Sequence, residues 1–510
     1  MTRSHTMNSA RALIAFLTLF ACSAPAAAQS IVRVESGQVR GVAADGVHAF
    51  KGIPFAAPPI GDLRWRPPAP AAHWDGVRGA SNYGPACPQP ARDSRGGGRA
   101  DVQSEDCLSL NVWAQDGARN LPVMVWIHGG GHRVGAGSFP IYDGAALARQ
   151  GVVLVTINYR LGLLGYFAHP SLTAEASADA PLGNYGLMDQ IAALEWVQRN
   201  IAAFGGDPSR VTVFGESAGG ASIVYLLTSP RARGLFQGAI VQSGGGLQRP
   251  GSLAEHERNG VEAMARIGLR ENASAADLRA AATAQLIEAL GTLEGLGYGE
   301  FIDGRLITEA PARAFDEGRA ADVPLMIGAN DNEANVITSL GVTGSALNVL
   351  GPRLPQLRTL YGDVSEEEFT RQALGDAFFV APAAWVAAQT ASGAPSYLYH
   401  FTYVIERRRG TVPGANHGTE IPFIFQTWDR LPIPPAFITA QDRAFGDMIS
   451  SCWVSFAQTG APSCDGAPAW PAYSTNDDRL MLFAPDTSVA SQPRRPAIDL
   501  MLTQLTERTR

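Results

Sequence analysis

What most constrains this chain is an alternation of short apolar runs with an amphipathic one. Leu121 to His128 (LPVMVWIH), Gly151 to Tyr159 (GVVLVTINY) and Arg210 to Glu216 (RVTVFGE) are brief and rich in β-branched residues, the composition of strands buried on both faces. Between the last two lies GLMDQIAALEWVQRNIAAFG, in which Leu187, Ile191, Leu194, Val197 and Ile201 recur three or four residues apart. That spacing predicts a helix with one buried face. Strand, helix and strand in that order predict a parallel sheet covered by helices. Further strands are expected in Asp322 to Asn330 (DVPLMIGAN) and Ser396 to Val404 (SYLYHFTYV), and residues from about 251 to 320 and about 340 to 395 read as helical insertions. No Pro/Ser-rich linker, low-complexity tract or repeat divides the chain. One α/β domain spanning 29 to 510 is therefore expected, although it exceeds the usual single core.

The first 28 residues read differently. Arg3 and Arg11 precede the apolar run ALIAFLTLFA, and Ala26 and Ala28 then fit a small-residue cleavage signature, so residues 1–28 are expected to be an export signal and Gln29 the mature N-terminus. The run is too short to span a bilayer, which takes about 20 residues, and no later stretch is long and apolar enough; no stable membrane insertion is expected. A lipoprotein cysteine at Cys22 is a second reading, disfavoured by the bulk of Phe20. Removal of the leader leaves Cys87, Cys107, Cys452 and Cys464, an even set in an oxidising compartment, periplasmic or extracellular. Three pairings are possible, and the local ones, 87 with 107 and 452 with 464, are favoured. There is no C-x-x-C and no H-E-x-x-H, so no metal is expected. The formal charge of −7 gives nothing that would attract nucleic acid.

The chemistry begins with an exclusion. Lys51 is the only lysine, Gly52 follows it, and His48 rather than a serine stands three residues before it. A P-loop and an S-x-x-K hydrolase site are both ruled out, so a nucleophilic serine here would need a histidine. Gly215-Glu216-Ser217-Ala218-Gly219 is a G-x-S-x-G placed where a predicted strand ends and a helix-forming run, ASIVYLLTS, begins. In a chain with 55 glycines the pattern alone could be an inert turn. At a strand-to-helix junction it holds a serine hydroxyl exposed above a sheet. His128-Gly129-Gly130-Gly131 directly follows another predicted strand, and its backbone N–H groups, with that of Ala218, could hold the oxyanion of an attacked carbonyl.

Chain order then selects the base. In such sites the acid follows the serine and the histidine comes last. Of nine histidines only His256, His400 and His417 follow Ser217. His256 precedes the strand that should carry the acid, and His400 lies inside a predicted strand and is read as structural. His417, in the loop PGANHGTE, is the candidate general base. For the acid, Asp331 and Glu333 share an alternation after the strand ending near Gly328, and periodicity does not choose between them.

These motifs, with VRGVAADGVHAFKGIPFAAPPIGDLRWRPP, SEDCLSLNVW, VTINYRLGLLGY, GNYGLMDQ, FGGDPSRVTVFGESAGG, GANHGTEIPFIF and WVSFAQTGAPS, make the chain resemble a type-B carboxylesterase. That family includes the cholinesterases and lies within the α/β-hydrolase superfamily. The resemblance implies a mostly parallel central sheet flanked by helices, with helical insertions forming a cap near the active site. It also implies hydrolysis of small-molecule carboxylic esters without a cofactor, through an acyl-enzyme intermediate. Carried over residue by residue, it makes Ser217 the nucleophile, His417 the base and Glu333 the acid, with the amides of Gly130, Gly131 and Ala218 as the oxyanion hole; the disulfide Cys87–Cys107 also resembles one in the family. The chain departs from the pattern at His132, where an aromatic residue is usual, and at Ala334, where glycine is. His132 and Arg133 are therefore candidate pocket residues. Arg133 and the run Arg407 to Arg409 could favour an acidic acyl group, although such a run is more often a solvated face. Family members that lack the nucleophile serve as adhesion or binding proteins, and the complete triad here argues against that role. Amides or lactones remain alternative substrates for the same site.

Overall fold

The computed structural model describes residues 28–90, 100–245, 250–291, 299–339 and 344–509, with Met1, Thr2 and Leu247. Most of the expected export signal, including Cys22, lies outside the described residues. The strands run in chain order as β1 (Ala28–Val34), β2 (Gly37–Ala44), β3 (Val47–Pro54), β4 (Val77–Gly79), β5 (Ser109–Gln115), β6 (Leu121–Ile127), β7 (Val153–Ile157), β8 (Gly206–Glu216), β9 (Gly238–Gln242), β10 (Leu325–Asn330), β11 (Ser396–Phe401), β12 (Arg479–Phe483) and β13 (Ser488–Ser491). They form one mixed sheet in the order β1-β2-β3-β5-β7-β6-β8-β9-β10-β11-β12-β13, with β4 beside β2. From β7 to β12 every neighbouring pair is parallel, and the flanking strands are antiparallel apart from β4.

The apolar runs are strands because both faces are covered. In β6, Val123, Val125 and Ile127 enter one core cluster and Met124 and Trp126 the opposite one, and all five are fully buried. A two-residue side-chain period thus delivers an uninterrupted hydrophobic sequence to two cores. Each such side chain stabilises the fold by roughly 1.5–3 kcal/mol through burial.

Strand ends differ from the expected ones by a few residues. The run from Gly151 to Tyr159 is trimmed to Val153–Ile157; just beyond it the Asn158 N–H still donates to Ser109 O at 3.0 Å, while its side-chain amide donates to the carbonyls of Pro85 and Cys107. The strand expected from Arg210 begins at Gly206, where Leu121 and Gly206 pair before a register shift. The long helix spans Tyr185–Asn200 and closes in a 3₁₀ turn, Ile201–Phe204.

Both local disulfides are present. Cys87–Cys107 and Cys452–Cys464 have Cα separations of 5.0 and 4.4 Å and close loops with sequence separations of 20 and 12. In the chain-entropy account each contributes about 3 kcal/mol. Among the described residues no helix is long and apolar enough to cross a membrane.

Candidate active site

Parallel strands present their C-terminal ends along one edge of a sheet, where loops and helix N-termini converge. The sheet register sets which residues meet there. Ile127 pairs with Gly215, and Gln242 pairs with both Glu216 and Gly328. The glycine loop after β6, the serine after β8 and the acid loop after β10 therefore emerge side by side.

Ser217 is the hinge between β8 and the helix Ala218–Thr228. Its φ of 56° and ψ of −124° are a costly backbone conformation for a non-glycine residue, of the kind that surrounding structure must impose. Here the Ser217 N–H donates to Gln242 O at 2.9 Å and Ser217 O accepts from the Ala221 N–H at 2.8 Å. The motif's last glycine has a packing reason. A Cβ on Gly219 would lie 2.0 Å from Ile127 O, so any side chain would push the helix off β6.

After β6, Gly130, Gly131 and His132 have φ values of 114°, 62° and 56°, a left-handed run that folds the loop back on itself. The N–H groups of Arg133 and Val134 donate to Gly130 O at 3.1 and 3.2 Å, and a Cβ on Gly130 would sit 2.0 Å from Val134 O. The ring of His128 stacks on Tyr159 with centroids 4.4 Å apart, and burial pushes its imidazole down to about 4, so it is neutral. His132, a candidate pocket residue, is buried, with its ring against Tyr166. Arg133 donates to Leu290 O at 3.0 Å.

The acid loop separates its two carboxylates. Glu333, fully buried, accepts a hydrogen bond from His417 Nδ1 through Oε2, and its Oε1 accepts from Ser243 Oγ at 2.5 Å and the Asn330 N–H at 2.6 Å. Asp331 turns to His400, whose Nε2 stands 3.7 Å from Oδ1. His400 is a buried residue of β11. The histidine loop is tied to the acid loop, with Asn332 N–H donating to Ala415 O at 2.8 Å and His417 N–H to Asn335 Oδ1 at 2.9 Å.

Sequence reasoning missed two further carboxylates. His417 Nε2 makes no hydrogen bond among the described residues and stands 3.0 Å from Glu216 Oε1. Glu420, also fully buried, accepts from Gln242 Nε2 at 2.9 Å and Asn330 Nδ2 at 2.6 Å. Burial first, and the neighbouring Glu216 charge second, push Glu420 up to about 7. The only local sign of either residue was an acidic letter inside each motif, GESAG and HGTE. Burial alone would lower the pKa of His417, but the charges of Glu216 and Glu333 outweigh it and hold the imidazole well above its ordinary value.

A pH dependence follows. A histidine can act as a base only when neutral, and a raised pKa keeps it protonated to higher pH. The kcat/KM for a p-nitrophenyl ester should therefore rise with pH along a limb above the ordinary histidine value. Glu216→Gln removes one of the two stabilising charges and should shift that limb toward acid. A pH profile of the variant superimposing on that of the native protein would show that Glu216 does not set the limb.

Parallel strands feeding a serine elbow, a glycine loop and a buried carboxylate–histidine pair at one sheet edge define an α/β-hydrolase. A solved structure described as a PNB esterase matches with a TM-score of 0.81 at 36% identity, over 92% of this chain and 99% of that one. A Geobacillus stearothermophilus carboxylesterase matches with the same TM-score at 34% identity and the same coverage of each chain. The family model for the carboxylesterase family matches residues 28–349 and 362–501, and the chain belongs to that family. The fumonisin B1 esterase of Sphingopyxis macrogoltabida is 38% identical over 95% of this chain and 92% of its own length. The para-nitrobenzyl esterase of Bacillus subtilis is 38% identical over 91% of this chain and 96% of its own length. The chain is a carboxylic ester hydrolase.

Proposed function

We propose that the enzyme cleaves small-molecule carboxylic esters through an acyl-enzyme on Ser217, with His417 as general base and acid and Glu333 as the residue that orients it. The observation that carries this reading is the hydrogen bond between the buried Glu333 carboxylate and His417 Nδ1, on the sheet edge that bears Ser217. That bond presents Nε2 as the proton acceptor. His417 takes the Ser217 proton as Oγ bonds to the ester carbonyl carbon, and the amides of Gly130, Gly131 and Ala218 receive the oxyanion. The carbonyl re-forms, the C–O bond to the alcohol breaks, and His417 protonates the departing alkoxide. Water, deprotonated by His417, then attacks the acyl-serine, and the acid leaves as Oγ recovers its proton. The names of the two curated relatives, a fumonisin B1 esterase and a para-nitrobenzyl esterase, support a small-molecule substrate.

Of the arginines, Arg407 and Arg408 are exposed, whereas Arg409 donates to Val404 O at 3.0 Å and lies over the Tyr403 ring; Arg133 remains the candidate for acyl recognition. We also read residues 1–28 as a leader and the enzyme as exported, for which two disulfides are the structural support, and residues 29–510 as one domain whose helical insertions cap the site.

A panel of p-nitrophenyl and alkyl esters varied separately in acyl and alcohol parts, run with an irreversible organophosphate, tests the reading. Ester turnover that stops on stoichiometric labelling of the peptide carrying Ser217 is expected. Labelling elsewhere, or turnover that survives full labelling of Ser217, overturns it.

A further inference from the structure

His132 is one of the two positions at which the chain leaves its family's pattern, and its surroundings form a compact buried polar cluster. Its Nε2 lies 3.1 Å from Ala218 O, 3.1 Å from Ser222 Oγ and 3.4 Å from Glu300 Oε1. Ser222 Oγ donates to Glu300 Oε1 at 2.6 Å and accepts from Gln190 Nε2 at 3.1 Å. Because the Ala218 carbonyl and a carboxylate can only accept, Nε2 must carry a proton. His132, Ser222 and Glu300 are all buried, so each partner depends on the others rather than on water.

The cluster joins three parts of the chain. His132 directly follows Gly131 and fixes the loop from its far end, its own carbonyl accepting from the Gly162 N–H at 2.6 Å. Ala218 and Ser222 belong to the helix that starts at the serine elbow. Glu300 comes from the segment between the helices Thr283–Gly291 and Pro311–Asp316. It is held in place by its neighbour Phe301, whose N–H donates to Asn184 Oδ1 at 3.1 Å and whose carbonyl accepts from Asn184 Nδ2 at 2.9 Å.

We propose that His132 and Glu300 are positioning residues that brace the oxyanion hole, locking the loop that carries the Gly130 and Gly131 amides to the helix that begins with the Ala218 amide. The inference rests on the proposed oxyanion hole and deepens it. The three donors stand on two separate elements, and a stabiliser of developing charge works only if its donors are already in place when the charge appears. Nothing covalent joins the two elements near the site. The hydrogen bond from His132 to the Ala218 carbonyl spans them directly. Glu300 keeps the ring turned that way, and its removal would leave His132 without its charged partner. Burial by itself would raise the Glu300 pKa; His132 and the hydrogen bond from Ser222 outweigh it, so the residue is held as the carboxylate.

Three variants, Glu300→Gln, His132→Ala and the conservative His132→Gln, test the brace against native enzyme and Ser217→Ala. The readouts are kcat and KM on a p-nitrophenyl ester, inhibition by a trifluoromethyl ketone, which forms an oxyanion-bearing adduct with the serine, and a thermal melt. Glu300→Gln and His132→Ala should lower kcat on the order of tenfold or more, below the loss of about 10²–10³ known for removing an oxyanion donor outright. Ketone affinity should weaken by a similar factor while KM moves less than threefold, and His132→Gln, which can still offer an N–H, should recover most of both. A folded Glu300→Gln and a folded His132→Ala that each keep kcat and ketone affinity within threefold of native overturn the brace, as does a loss of melting temperature with both values unchanged. If Ser217→Ala is inactive when that happens, the brace alone has failed; an active Ser217→Ala means that the underlying site reading has failed.

Discussion

Ser217→Ala should fold normally and lose hydrolysis of p-nitrophenyl esters by about 10⁴-fold or more, the scale on which removal of a triad nucleophile acts. The fold should survive because the change deletes a single oxygen at a position whose backbone bonds, from Ser217 N–H to Gln242 O and from Ala221 N–H to Ser217 O, are untouched. The left-handed strain at φ 56° is the same for alanine as for serine. A purified variant with a native-like melting temperature and circular dichroism spectrum, assayed for burst and steady-state release of p-nitrophenol, gives the result. Turnover within tenfold of native would remove Ser217 from the mechanism and the triad with it.

Glu333→Gln should lower kcat by on the order of 10³ to 10⁴ with little change in KM, whereas Asp331→Asn should cost less than tenfold. Proton inventory separates the two variants. Glu333 Oε1 accepts from Ser243 and from the Asn330 amide, and Oε2 faces His417 Nδ1. A glutamine that keeps its oxygen toward the first two donors must turn its NH₂ to His417. Nδ1 then becomes the acceptor, the proton moves to Nε2, and the imidazole is in the tautomer that cannot take a proton from serine. Asp331 makes its contact with His400 instead, so its amide form perturbs a structural histidine. Steady-state kinetics of the two purified variants decide the matter, and a larger loss in Asp331→Asn would transfer the role of acid to Asp331.

Much of the scaffold was legible because its signals are local. Short apolar runs rich in β-branched residues identified β6, β7 and β8 to within a few residues, and a three-to-four spacing identified the helix between β7 and β8. The G-x-S-x-G and H-G-G-G motifs could be read because backbone crowded to the point that a Cβ would clash is written in glycine where it occurs, as Gly219 and Gly130 show. The two disulfides were within reach because each closes a short loop.

The carboxylates were another matter. Glu216, Glu300, Glu333 and Glu420 look alike in the sequence, and none carries a local mark of what it faces. Asp331 and Glu333 share an alternation only while the chain is extended. The strand ends at Asn330 and a helix begins at Ala334, so the turn between them sends one carboxylate to His400 and the other to His417. Glu300 meets Ser222 across 78 positions, and Glu420 meets Gln242 across 178. Backbone geometry and burial pattern depend on neighbouring residues, and the sequence by itself determined them while marking Ser217 and His417 as candidates. Which charge stands beside which imidazole depends on the parallel strands bringing distant loops to one edge of the sheet, and only the tertiary structure decided it.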